Sequence, residues 1–297
     1  FEESWKRPES AVDLAGLPAI EEIRDAVDDV CDALKISRIV LLIDEAAHIF
    51  LPAQQRQFFT LFRDLRSPRL VCKAAVYPGV TAYGDTFQPI HDATMLTLER
   101  EILDRNYVAN MREIVEKQAE SQMIADIATH GQNFAILAYA ASGNPRVLLK
   151  TLSKAPRVTA QATNEVIREY YRSGVWSEHS MLPDKYPGHR VLIDWGRKFI
   201  EGDVLADLKR KNDQYLQSDP KQSTCFFWIH RDAPQPVKEA LRLLAYTGIV
   251  NEHAAGIRAT RSEVGTRNSV NLGCLMALEA TPSATLPIAQ SLTPKRM

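Results

Sequence analysis

Residues Ile39-Val40-Leu41-Leu42-Ile43 form an unbroken apolar run that ends abruptly in Asp44-Glu45. Five residues are far too few for a membrane span and carry no polar alternation. The run therefore predicts a strand of a parallel sheet, buried on both faces. Open α/β sheets place ligands beyond the carboxyl ends of their strands. A pair of carboxylates there is a candidate to hold a cation and to take a proton from water. The same residues also suit an ordinary core strand closed by a solvated acidic turn.

The flanking sequence alternates helix and strand, the repeating unit of an α/β sheet. A helix is expected from Pro18, with Ile20, Ile23, Val27, Cys31 and Leu34 as its apolar stripe. A second is expected from Ala53 to Leu65, turning Phe58, Leu61, Phe62 and Leu65 inward and Gln54, Gln55, Arg56 and Arg63 outward. Leu70 to Tyr77 reads as a strand closed by Pro78-Gly79, and Thr94 to Leu98 as a third. From Arg105 to Arg172 the periodicity is helical only, and Asn144-Pro145-Arg146 opens one of these helices. Ser173 to Gly188 is linker-like, with Gly174, Pro183, Pro187 and Gly188 as breakers. Helices at Val191–Phe199 and Val204–Lys211 follow, then a short aromatic strand at Cys225–Ile229 and a helix opened by Gln235-Pro236. Two β segments, Ile257–Thr260 and Asn268–Leu272, complete the order of a winged helix. Thr281 to Met297 is rich in Pro, Ser and Thr and is expected to be flexible.

Composition excludes some functions and leaves others open. With a formal net charge of -1, no global field recruits nucleic acid or an anionic membrane, so such binding needs a local patch. The four cysteines are widely spaced and form no Cys-x-x-Cys, which predicts free thiols in a reducing cytoplasm. No run approaches a transmembrane length and no signal peptide is evident, so no membrane partner is expected. The first residue is Phe1 rather than methionine, from which a longer parent polypeptide is expected.

Several short motifs now carry a resemblance. Val40-Leu41-Leu42-Ile43-Asp44-Glu45 resembles the Walker B segment of AAA+ and related STAND ATPases. Leu70 to Tyr77 lies where those proteins keep the sensor 1 strand, Thr94 to Leu98 resembles their last sheet strand, and the following helices resemble their lid. Gly143-Asn144-Pro145-Arg146 is similar to the sensor 2 motif of the AAA+ initiator branch. A winged helix after the lid is the domain order of origin-recognition-type initiators. The resemblance covers nearly the whole chain.

It implies an α/β fold: an incomplete parallel-sheet P-loop ATPase core over 1–104, a helical lid over 105–175, a linker at 176–187, a winged-helix domain over 188–280 and a flexible tail at 281–297. It also implies ATP and magnesium as cofactors. Asp44 would hold the magnesium, Glu45 activate the attacking water, and Arg146 read the γ-phosphate from the lid side. Tyr77, or a polar neighbour such as Thr81, would serve as sensor 1. In the winged helix the cations are Lys238 and Arg242 on the helix and Arg258, Arg261 and Arg267 on the hairpin, with His230 and Arg231 just before. They suit phosphates of double-stranded DNA and equally suit a solvated face or a protein partner.

The chain also departs from the pattern. A phosphate-cradling loop needs Gly-Lys followed by Ser or Thr, and none of the 13 glycines here precedes a lysine. No arginine lies between Arg69 and Arg100, where an arginine finger for a neighbouring subunit is often found, leaving Arg66, Arg69 and Arg100 as weak substitutes. His48 reads as a packed or solvated histidine. Two functional expectations result. One is an ATP-controlled switch that contacts DNA, an ATP hydrolase where a phosphate loop is supplied. The other is an inactive or nucleotide-sensing scaffold in a multi-protein complex, such as one of bacterial antiviral defence.

Overall fold

A computed structural model of the chain describes residues 18–46, 52–77, 80–98, 100–155, 157–258 and 263–295. It divides into two compact units, Phe1–Tyr77 with Thr81–Leu96, and Pro78–Val80 with Thr97–Met297.

In the first unit, α1 (Ile20–Leu34), β1 (Ile39–Ile43), α2 (Pro52–Asp64), β2 (Leu70–Ala74) and a short α3 (Pro89–Asp92) follow in order. The two strands pair in parallel, Ile39 opposite Leu70 and Ile43 opposite Ala74, with α2 in the crossover. Phe59, Phe62 and Phe87 form the buried centre, and Ile43, Cys72, Ala74, Val76 and Tyr83 pack on it. The Phe59 ring lies 5.4 Å from Phe87 and 4.8 Å from Tyr83, in the range where aromatic pairs attract.

Three expectations for this unit change. On α2 the buried stripe is Gln55, Phe59 and Phe62, spaced i, i+4, i+7, and Leu61 faces solvent. Rotating the helix by one residue puts two rings against β2 and carries a glutamine inward. The segment Thr94–Leu98 forms no strand, and Met95 and Leu96 are exposed. Finally, β1 is not buried on both faces: Val40, Leu41 and Leu42 are 44%, 38% and 73% exposed. With β2 as the sole neighbour among the described residues, β1 has an open edge and little cover. Full burial of such a side chain is worth roughly 1.5–3 kcal/mol, so three exposed ones forgo several kcal/mol.

The second unit is mostly helical. It begins with α4 (Tyr107–Glu116), α5 (Ser121–Thr129), α6 (Gly131–Ala140) and α7 (Pro145–Lys154). Next, α8 (Ala160–Ile167) runs through a π-helical segment, Arg168–Gly174, into α9 (Val175–Ser180). After α10 (Leu182–Lys185), α11 (Arg190–Lys198) runs through a second π segment, Phe199–Val204, into α12 (Leu205–Tyr215). The remainder is β3 (Phe226–His230), α13 (Gln235–Tyr246), β4 (Val250–Arg258), β5 (Val264–Val270), α14 (Leu272–Met276) and α15 (Leu286–Gln290). The three strands form an antiparallel sheet in the order β3-β5-β4.

One hydrophobic core runs through this unit. Tyr107, Met111, Ile127 and Phe134 from the expected lid join Val250, Val270, Leu272 and Leu275 from the expected winged helix. The stretch 176–187, read as linker, is largely helical, and Trp176, His179 and Leu182 are buried. Its breakers are accommodated: Gly174 sits in the π segment and Pro183 in the first turn of α10, where a missing N–H costs nothing. The expected flexible tail is also ordered as far as Lys295. Ile288 and Ala289 are buried, Ser223 donates its N–H to Ser291 O at 2.9 Å, and Thr293 donates to Ser223 O at 3.0 Å. No described helix is long and apolar enough to cross a membrane.

Candidate functional site

The parallel register brings three of the expected site residues to one end of the small sheet. Ala75 donates its N–H to Ile43 O at 2.9 Å, so β1 and β2 run together to their carboxyl ends. Asp44 and Glu45 leave β1 there, and Tyr77 leaves β2 three residues past Ala74. Both acids are exposed, while Ala46 behind them is buried. Asp44 Oδ1 accepts the Glu45 N–H at 2.9 Å. Glu45 itself has φ +55°, the left-handed region. A side chain there costs roughly 1–2 kcal/mol, and such outliers cluster where a side chain must be aimed.

Among the described residues no three Asp, Glu, His or Cys side chains converge as a metal cage. Asp44 and Glu45 are instead two adjacent exposed carboxylates, one of them engaged by a backbone N–H.

The loop after β2 is held from two sides. The Thr81 hydroxyl donates to Tyr77 O at 2.9 Å and accepts the Tyr77 N–H at 3.2 Å. Gln55 Oε1 accepts the Ala82 N–H at 2.8 Å from a fully buried position on α2. Gln55 sits between the polar Gln54 and Arg56, so its sequence neighbours give no inward signal; only its spacing to Phe59 and Phe62 does. Arg66 and Arg69 are engaged locally, Arg66 with Asp92 at 3.4 Å and Arg69 with Asp32 at 2.5 Å. His48 lies outside the described residues.

Arg146 belongs to the second unit, where a turn of specific construction presents it. Gly143 has φ +87°, and a Cβ on it would lie 2.4 Å from Arg100 O. Its N–H donates to the Tyr107 hydroxyl at 2.9 Å, and that hydroxyl donates to Ala138 O at 2.7 Å. Tyr107 is fully buried, which pushes its phenol well above the usual range. The Asn144 side chain caps α7 by accepting the Val147 N–H at 3.2 Å, and Pro145 occupies the first turn. Arg146 comes next, exposed. Tyr107 is equally unmarked: nothing in its local sequence distinguishes it from an ordinary core aromatic. Tyr107→Phe is expected to lower stability by about 1–3 kcal/mol, because the Gly143 N–H then loses its buried acceptor. Urea denaturation checks this; an unchanged midpoint would mean that the turn does not need the phenol.

The five winged-helix cations are placed unequally. Lys238 on α13 and Arg258 at the end of β4 are exposed. The Arg242 side chain is 12% exposed and pairs with Glu239, Nη2 to Oε1 at 2.5 Å. Arg267 donates to Pro294 O at 3.0 Å and to His253 Nδ1 at 3.3 Å, with its guanidinium 5.6 Å from the centre of the Phe226 ring. Burial, with Arg267 alongside, lowers the His253 pKa, in keeping with a neutral ring that accepts. Arg261 lies outside the described residues.

Comparison of the chain with protein-family models, with curated proteins and with solved structures finds no match.

Proposed function

We propose that the chain is part of a nucleotide-responsive switch, its first unit supplying the acidic end of a parallel-sheet ATPase core. The carrying observation is the Asp44-Glu45 pair at the carboxyl end of a parallel strand, with Glu45 held at φ +55°. The open edge and exposed apolar side chains of β1 support an incomplete core that further polypeptide covers. Hydrolysis requires a phosphate loop from outside these residues, since the sequence has no Gly-Lys pair.

Asp44 is the residue that would hold magnesium, which when bound neutralises phosphate charge. Glu45 is the base that orients a water and takes its proton. Tyr77 leaves β2 at the same end of the sheet and is the candidate to sense the nucleotide. Arg146, exposed at the start of α7, is the candidate to reach the γ-phosphate. Arg146→Ala is expected to weaken binding of a non-hydrolysable ATP analogue about tenfold or more, the worth of a charge-assisted hydrogen bond. Its unfolding midpoint should stay at the wild-type value, because an exposed side chain contributes little to the fold. Equal analogue affinity in mutant and wild type would leave Gly143–Arg146 as a structural turn only.

The sheet order β3-β5-β4, with α13 between β3 and β4, supports a winged-helix reading of the carboxyl-terminal part. Of the five candidate cations, Arg242 and Arg267 are engaged within the unit, which leaves Lys238 and Arg258 among the described ones for phosphates, a small footprint for DNA. That observation favours the second reading, a nucleotide-sensing scaffold whose carboxyl-terminal part meets a protein.

A further inference from the structure

Strand β3 lies at one edge of the β3-β5-β4 sheet. Cys225 O accepts the Val270 N–H at 2.9 Å, and Arg231 donates its N–H to Val264 O at 2.8 Å. In an antiparallel ladder hydrogen-bonded pairs alternate, so Phe227 and Ile229 direct their backbone groups to β5. Phe226, Trp228 and His230 direct theirs away from the sheet. The groups of Phe226 are met by the Thr224 hydroxyl, which accepts its N–H at 3.0 Å, and His230 O accepts the Ala233 N–H at 3.0 Å. For the N–H and C=O of Trp228 and the N–H of His230, no partner is found among the described residues.

This open stretch of strand borders a cleft of about 520 Å³. Phe199, Val204 and Phe227 supply apolar walls, and Lys295 supplies charge. The one acid lining the cleft, Asp207, is already paired with Lys211 at 2.8 Å and with Arg210. Lys295 is exposed and makes no ion pair with the described residues.

We propose that this edge receives an extended, acidic segment of a partner protein, which joins the sheet as a fourth strand. The occupant follows from the chemistry. A donor and an acceptor on Trp228, with another donor two residues on, are complementary to the backbone of an extended peptide. One partner residue opposite Trp228 exchanges both hydrogen bonds with it. Alternate partner side chains then point to the Phe199, Val204 and Phe227 walls, and an acidic one meets Lys295. An edge left open is a liability in a monomer, and the adjoining cleft gives this one a specific use.

The test uses the full chain without nucleotide, so its outcome is independent of the ATP reading. The probe is the capped peptide Glu-Val-Glu-Val-Glu-Val-Glu, with two versions N-methylated at alternate residues and a counterpart with lysine for glutamate. The peptide should slow hydrogen exchange of the Trp228 and His230 amides at least about tenfold, as expected for newly paired strand groups. One N-methylated version, lacking the donors that face β3, should lose binding, while the other keeps it. The lysine peptide should bind more weakly, and Lys295→Glu should reduce affinity for the acidic peptide about threefold. Unchanged Trp228 exchange, or equal binding of both N-methylated versions, would overturn the proposal. So would protection of the same amides by a duplex oligonucleotide but not by the peptide.

Discussion

Under the proposed reading, with a phosphate loop supplied, Glu45→Gln is expected to slow ATP hydrolysis about a hundredfold or more while nucleotide binding persists, the scale for losing a general base. Glutamine keeps the shape and polarity of the side chain, so the loss would report proton transfer rather than folding. The backbone offers a second variant that separates strain from chemistry. Glu45 stands at φ +55°, which glycine adopts freely. Glu45→Gly is therefore expected to raise stability by about 1 kcal/mol while hydrolysis falls as far as in the glutamine variant. A position that gains stability and loses activity together is one where strain is maintained for function. Wild-type turnover in Glu45→Gln would remove Glu45 from the mechanism. A loss of stability in Glu45→Gly would mean that its side chain holds the turn together.

A large effect on folding is expected from Gly273→Ala in α14. A Cβ at Gly273 would lie 2.3 Å from ring carbons of Tyr171, and the Tyr171 side chain is wholly buried at the centre of the second unit. Tyr171 also belongs to the π segment between α8 and α9, so moving its ring disturbs a long helix as well as the core. The clash is with a ring rather than the end of a flexible chain, and overpacking of a dense core costs about 1–3 kcal/mol or more. At the upper end of that range the melting temperature should fall by about 6–12 °C for a unit of this size. Tyr171→Leu in the same chain should restore part of the loss, because the shorter side chain clears the Cβ. A single Gly273→Ala variant melting within about 2 °C of wild type would show that the ring has room to move.

The two expectations resting on the longest local patterns fared differently from those resting on breakers. The apolar run Ile39–Ile43 is β1 and the apolar stretch from Leu70 begins β2, because an uninterrupted run of β-branched and aliphatic residues has few other uses. Their parallel pairing brings Asp44, Glu45 and Tyr77 to one end, which sequence order alone implied only through the resemblance. Burial of β1 was not legible, since it depends on neighbours rather than on the strand. The phenylalanines of α2 announced a core, yet the choice between Phe58 and Phe59 depended on where β2 lies. Gly174 and Pro183 looked like punctuation and are absorbed into a π segment and a first helical turn. The tail looked polar and loose, but Ser223 and Arg267, far away in sequence, accept or donate the hydrogen bonds that hold it. Gln55 and Tyr107 were invisible for the same reason: their roles are contacts at a separation of 27 and 36 residues.

Amide hydrogen exchange of the intact protein, with and without saturating ATP and magnesium, tests the nucleotide-responsive reading most directly. Nucleotide should slow exchange at Glu45 and Ala46 and, in the same sample, at Arg146 and Val147. Asp44→Ala should abolish the change at both places. Unchanged exchange at Glu45 and Ala46 in wild-type protein under saturating ATP and magnesium would contradict the reading.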